Sequence, residues 1–168
     1  MQRAKAMGID AFALNIGTDT YTDTQLDYAY KSAANNGMKV FISFDFNWYH
    51  AATDAAVVGQ KIATFAKYPA QLKIGTKSFA SSFAGDGFNS AAMRSAAGIE
   101  VFWAPNFTPN SDVNQVDAAF NWIVSLFISP RIRLLNTYRL GTTTATTRPQ
   151  ALATMSPSRR AMLVTSHG

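Results

Sequence analysis

Residues 39–50 read KVFISFDFNWYH, and the change of character half-way along this stretch decides the fold. Val40, Phe41, Ile42, Ser43 and Phe44 form a β-branched and aromatic run, the composition of a strand buried on both faces. Asp45, Asn47, Trp48, Tyr49 and His50 then gather a carboxylate, an amide, two large rings and an imidazole where the strand should run out. Buried strands that release polar and aromatic side chains at their C-terminal ends build the ligand sites of α/β proteins. Flat rings among hydrogen-bonding groups suit a sugar. Trp48 and Tyr49 can offer their faces to a pyranose, while Asn47 and His50 can bind its hydroxyls. The plain alternative is a strand end followed by an aromatic loop packed on itself.

Working outward, the chain alternates. The charged N-terminal residues read as the last turns of a helix closed by Gly8, and residues 9–17, IDAFALNIG, read as a strand ending in Asn15 and Gly17. Thr22 and Gln25 have the spacing of a capping box, followed by Leu26, Ala29, Tyr30 and Ala33 at helical period until Asn35-Asn36-Gly37. Beyond the central stretch, residues 55–68 predict a helix with Val57, Val58, Ile62, Phe65 and Ala66 on its apolar face. Residues 71–74 and 78–83 predict short strands around the turn Gly75-Thr76, the second leading into Ala84-Gly85-Asp86-Gly87. Asn89 or Ser90 caps a helix that Gly98 closes, and residues 99–104 form the next strand, ending in Pro105-Asn106. Ser111 or Asp112 then caps a helix burying Val113, Val116, Ala119, Phe120 and Ile123. Helices and strands in alternation argue for parallel βαβ units. Parallel strands end on one side, so Asn15, Asp45 with Asn47, Asp86 and Asn106 share a rim, as on the active-site face of a (β/α)₈ barrel or in the crevice of an open sheet.

Composition bounds the function. A chain of 168 residues with 48% hydrophobic content holds one ordinary core, and no apolar run reaches the ~18 residues of a membrane span. No export signal is visible at the N-terminus, and the absence of cysteine excludes disulfides and thiolate chemistry. The net charge of +5 suggests a nucleic-acid partner only until the charges are located. Residues 1–129 carry a net −1, whereas residues 130–168 hold six arginines and no acid. That tail, rich in Thr, Ser, Pro and Arg, is expected to be disordered or poorly packed. The abrupt loss of lysine and acids leads to the hypothesis of a shifted reading frame or a retained intron, which an uninterrupted, in-frame transcript across residues 122–131 would refute.

Asp45 and Asp86 are the carboxylates at strand ends and the candidates for catalysis. Glycoside hydrolysis needs one acid to protonate the leaving oxygen and a second carboxylate to activate water or attack the anomeric carbon. Gly85-Asp86-Gly87 is also an ordinary turn, and is too short for a phosphate loop. Asn15, Asn47, Trp48, His50 and Asn106 are the candidate substrate-binding residues. A single histidine in residues 1–129 excludes a metal site of several imidazoles, and no nucleophile-elbow motif supports a serine triad.

Four segments, QRAKAMGIDAFALNIG, YTDTQLDYAYKSAANNGMKVFISFDFNWYH, SSFAGDGFNSAAMRSAAG and VFWAPNF, resemble glycoside hydrolase family 71, the fungal α-1,3-glucanases or mutanases. The resemblance runs almost continuously from Gln2 to about Trp122. It implies a (β/α)₈ catalytic domain, secretion, a monomer, no metal or other cofactor, and endo-type hydrolysis of α-1,3-glucan with inversion. By position, Asp45, Asn47, Trp48 and His50 fall in the family's SFDFNWWH-like segment, with Tyr49 in place of its second tryptophan. Asp86 falls in the SFAGDG segment and Asn106 in the APNF segment.

The departures set further expectations. The family's first barrel strand is not found before Gln2, and no acidic Trp-Asn-Asp-Tyr-Gly-Glu-Ser-like segment follows Trp122. The reading is therefore an α/β partial (β/α)₈ TIM-type barrel of about four βα units over residues 1–128, with an unstructured basic tail over 129–168. It is expected to act on a polysaccharide, without nucleic-acid or membrane partners, and the 168-residue chain alone is expected to be unstable or aggregating and inactive. A non-catalytic glucan-binding module, and a binder of anionic polymers through the tail arginines, are the alternatives.

Overall fold

A computed structural model describes residues 1–106, 113–120 and 160–164, the last five in backbone only. The elements are α1 (Gln2–Ala6), β1 (Ile9–Ile16), α2 (Thr22–Asn35), β2 (Lys39–Asp45), α3 (Ala55–Phe65), β3 (Lys73–Ile74), β4 (Lys77–Phe83), α4 (Ser90–Ala97), β5 (Val101–Ala104), a 3₁₀ turn at Val113–Gln115 and β6 (Arg160–Val164). β1, β2, β4 and β5 stand side by side in the order in which the chain makes them, each parallel to the next. Such a succession is compatible with part of a (β/α) barrel, whereas a doubly wound sheet reverses its strand order. β3 and β4 form the antiparallel hairpin expected around Gly75-Thr76.

Local chemistry explains most boundaries. α2 ends in a Schellman motif: Gly37 takes φ of 61°, its N–H bonds the Ala34 carbonyl, and the Met38 N–H returns to the Ala33 carbonyl at 2.9 Å. This buries Met38 and aims the chain straight into β2. α4 starts with Asn89, whose side chain accepts from the Ala92 N–H at 2.9 Å, and closes on the left-handed Gly98.

Alternation in the strands divides the sheet into two faces. Phe12, Val40, Ile42, Phe44, Ala80, Val101 and Trp103 lie in one buried cluster with Leu26 and Tyr30 of α2, Val58, Ile62 and Phe65 of α3, and Met93 of α4. The Tyr30 hydroxyl, within this cluster, donates to Gln71 Oε1 at 2.6 Å, and Gln71 Nε2 donates in turn to the carbonyls of Leu72 and Phe79. The opposite face carries Ala11, Ala13, Phe41, Phe79 and Ala104, with Phe102, Ala118 and Phe120 packed onto it.

Three expectations change. The Thr22 capping box does not form: Tyr21 is the N-cap, it makes no side-chain capping bond, and Thr22 is buried. Val57 is 50% exposed, because the buried stripe of α3 follows Ala55, Val58, Gly59, Ile62 and Phe65, and Val57 lies a third of a turn away. The helix expected after Ser111 is only a 3₁₀ turn in the described residues: residues 116–120 run without a helix along the sheet, held by the Asp117 N–H on the Trp103 carbonyl at 2.9 Å and the Phe120 N–H on the Pro105 carbonyl at 2.8 Å. Within the stretch 129–168, the described residues are those of β6. β6 pairs parallel with β1, offering partners to an edge that would otherwise carry a row of unpaired N–H and C=O groups. The rest of that stretch lies outside the described residues.

Candidate functional site

Because β1, β2, β4 and β5 are parallel, their C-terminal ends form a single rim. Asn15 lies near the end of β1, Asp45 ends β2, Asp86 lies in the turn after β4 and Asn106 follows β5. The structure brings two of these side chains into contact. Asn15 Nδ2 donates to Asp45 Oδ2 at 3.4 Å, while Asp45 Oδ1 accepts from the Asn47 N–H at 2.9 Å. Both carboxylate oxygens are thereby oriented.

The turn after β2 separates the residues that follow it. The Asp45 carbonyl accepts from the N–H groups of Trp48 and Tyr49 at 3.0 and 3.1 Å, which throws Trp48 outward and Tyr49 inward. Trp48 is 65% exposed, with its indole over Gly17, where a Cβ would lie 3.3 Å from Trp48 Cγ. Tyr49 is 3% exposed and meets the edges of Phe44 and Phe46. The pair expected to offer two faces to a sugar therefore offers one. Burial, reinforced by the charges of Asp23 and Asp54, pushes the Tyr49 phenol up to about 12. Asn47 and His50 are exposed. The His50 backbone N–H donates to Asp54 Oδ2 at 2.8 Å, and this bond, with the Thr53 hydroxyl, holds the Asp54 carboxyl below its usual range.

The turn after β4 is tightly built. Ala84, Gly85 and Gly87 all have positive φ, and the Ser82 hydroxyl donates to the Ala84 carbonyl at 2.9 Å. A Cβ on Gly85 would lie 2.7 Å from the Phe46 ring, so the turn presses against the residue between Asp45 and Asn47. Asp86 sits exposed at its tip. Asn106 is buried and donates its N–H to the carbonyl and hydroxyl oxygens of Ser82 at 3.1 and 3.3 Å. Hollows of about 410 and 390 Å³ lie away from the rim, around Lys39 and Pro69 and beside α4 near Arg94. Asn47, Trp48, His50 and Asp86 are the exposed members of the rim.

Sequence reasoning missed Ser43 and Ser81. Register places them in one row with Asn15 on the face that also carries Asp45. The available signal was a serine at an inward position in each strand, plain in β2, whose Val40 to Phe44 run is otherwise apolar, and masked in β4, where Ser78 and Ser82 stand beside Ser81. Among the described residues no group of three His, Cys, Asp or Glu side chains is placed to hold a metal, and no helix is long and apolar enough to cross a membrane.

Residues 1–124, which span all of this rim, match glycosyl hydrolase family 71. The chain belongs to that family. A mutanase from Penicillium rubens is 35% identical over 129 residues, covering 73% of this chain and 29% of the relative. A glucan endo-1,3-alpha-glucosidase from Schizosaccharomyces pombe is 35% identical over 123 residues, covering 64% of this chain and 28% of its own length. The chain thus spans less than a third of each of these family 71 relatives. No solved structure matches it.

Proposed function

We propose that this chain is the N-terminal arc of a (β/α)₈ glycoside hydrolase barrel, and that its rim forms one wall of a cleft for α-1,3-glucan. The observation that carries the reading is the fixed Asn15–Asp45–Asn47 constellation beside the exposed face of Trp48, in a chain of a glycosyl hydrolase family. An exposed indole gives a pyranose ring a flat apolar platform. Each oxygen of Asp45 accepts one protein hydrogen bond and retains capacity for a sugar hydroxyl. Asp45 thus orients the sugar at the rim, and Asn47, His50 and Asn106 supply further polar groups around it. Asp86, carried on a turn whose glycines allow close approach, is the second carboxylate available to the reaction. The names of the relatives, a mutanase and a glucan endo-1,3-alpha-glucosidase, support α-1,3-glucan as the substrate.

Incubation of the purified chain with insoluble α-1,3-glucan tests the reading. The chain is expected to sediment with the polymer and Trp48→Ala to remain in the supernatant. Equal sedimentation of the two would remove Trp48 from the site. A reducing-sugar assay on the same mixture separates the two roles. Binding without release identifies a glucan-binding wall, whereas release that Asp45→Asn and Asp86→Asn abolish assigns both carboxylates to the chemistry.

A further inference from the structure

The inner face of the sheet is layered. Ala13, Phe41, Phe79 and Phe102 form an apolar layer in which the Phe41 and Phe79 rings meet edge to face at 4.7 Å. One step toward the rim, the registers Asn15↔Ser43 and Ser43↔Ser81 line up an amide and two hydroxyls on three adjacent strands. One step further stands Asp45. Barrel layers are ordinarily filled by branched apolar side chains, so a row of short polar groups is a departure.

Ser43 and Ser81 are both 0% exposed, and Asn15 Oδ1, Ser43 Oγ and Ser81 Oγ are buried without a hydrogen-bond partner among the described residues. A neighbouring serine shows the contrast: Ser82, pointing to the other face, donates to Ala84 and accepts from Asn106. A buried polar atom left unmatched is destabilising, so two hydroxyls and an amide oxygen in one row call for a ligand. Strand spacing identifies it. Neighbouring strands lie about 4.8 Å apart, too far for hydroxyls in register to bond directly, whereas one water placed between them reaches both at about 2.8 Å. A buried water needs two or more polar partners, and each gap in the row supplies two.

We infer that Asn15, Ser43 and Ser81 form a water-binding row beneath the rim, with one ordered water between Asn15 and Ser43 and a second between Ser43 and Ser81. The first water donates to Asn15 Oδ1 and so fixes which way the amide faces, leaving Nδ2 to donate to Asp45 Oδ2. Ser43 and Ser81 are positioning residues: they reach Asp45 only through water and Asn15. The row stands on geometry alone, while its effect on sugar binding rests on the glucan reading of Asp45.

The test combines water-oxygen magnetic relaxation dispersion on the 168-residue chain with a crystal structure at about 1.5 Å, where ordered waters are resolved. Both waters are expected in the wild type, to be lost in Ser43→Ala, and to be retained in Ser43→Thr, which keeps the hydroxyl. A dry row, or equal numbers of long-lived waters in wild type and Ser43→Ala, would overturn the site. In the second arm, calorimetry with an α-1,3-linked gluco-oligosaccharide should show Ser43→Ala binding about 5- to 10-fold more weakly, the weight of one net hydrogen bond, and Ser43→Thr restoring it. Waters lost with affinity unchanged would overturn the positioning role. A wild-type chain that holds both waters yet binds no oligosaccharide would sink the glucan reading and leave the water row standing.

Discussion

The two faces of the sheet are made by the same strands and solve opposite problems. On the helix side, Val40, Ile42, Phe44 and Trp103 pack against three helices, and Tyr30, one of two buried tyrosines there, has a partner in Gln71. On the other side, an apolar layer gives way within one step to Ser43 and Ser81, and within two to Asp45 at the rim. The helix side is closed around an apolar core, whereas the rim side holds Asn15, Ser43 and Ser81, each with a buried polar atom that has no hydrogen-bond partner among the described residues. Odd and even positions of β2 thus divide the labour, Phe44 packed in the helix-side core and Asp45 placed at the rim.

Substitutions should respect that division, and each one that crosses it would break the contrast. The largest effect belongs to Trp103→Ala, a truncation of a fully buried ring on the helix side, expected to cost about 3–5 kcal/mol in urea unfolding. Gly85→Ala comes next. Its φ of 103° and the Phe46 ring both oppose a Cβ, so a loss of about 1–3 kcal/mol is expected, together with weaker glucan binding because the turn carries Asp86. Glucan binding at wild-type strength by Gly85→Ala would uncouple that turn from the site.

Asp117 gives a smaller, pH-dependent effect. Burial alone would raise its carboxyl, but the Trp103 N–H, Arg94 and Lys77 outweigh burial and hold it below the usual range. A lowered folded pKa means stability present above the unfolded value of about 3.9 and lost as pH falls through the folded one. Acid unfolding below about pH 4 should therefore flatten in Asp117→Asn, with a neutral-pH loss of about 1–2 kcal/mol. Tyr49 works from the alkaline side. Its raised pKa favours folding up to about pH 10, and that contribution fades as pH rises toward about 12, so Tyr49→Phe should unfold less steeply there. Smallest of all on stability is Trp48→Ala, within about 0.5 kcal/mol of wild type despite its expected loss of glucan binding. A large destabilisation would make Trp48 part of the core and erase the contrast with Tyr49.

Much of this was legible in sequence because local chemistry and burial agree. The strands at β1, β2, β4 and β5, the Asn89 cap and the glycines closing α2 and α4 all follow from patterns a few residues long. The misreadings occur where backbone geometry, local or across the sheet, decides and side-chain pattern does not. Trp48 and Tyr49 are adjacent and chemically alike, and only the turn on the Asp45 carbonyl sends one out and the other in. Residues 116–120 carry apolar side chains at helical spacing, but the sheet offers Trp103 and Pro105 carbonyls as alternative acceptors for their N–H groups. The rim was found because parallel strands end together. The serine row beneath it was not, because one-letter alternation gives no register between strands.

Phe46 has a consequence for the thermodynamics of binding. Its ring is flanked by Gly85 and Phe88 and by Tyr49, so the loop bearing Asn47 and the loop bearing Asp86 lean on the same wedge. Two loops tied to one ring lose their conformational freedom when the chain folds, so on the glucan reading proposed above little remains to be lost on binding. Recognition at this rim should therefore resemble the filling of a rigid mould, with a small entropic penalty and little rearrangement of either loop.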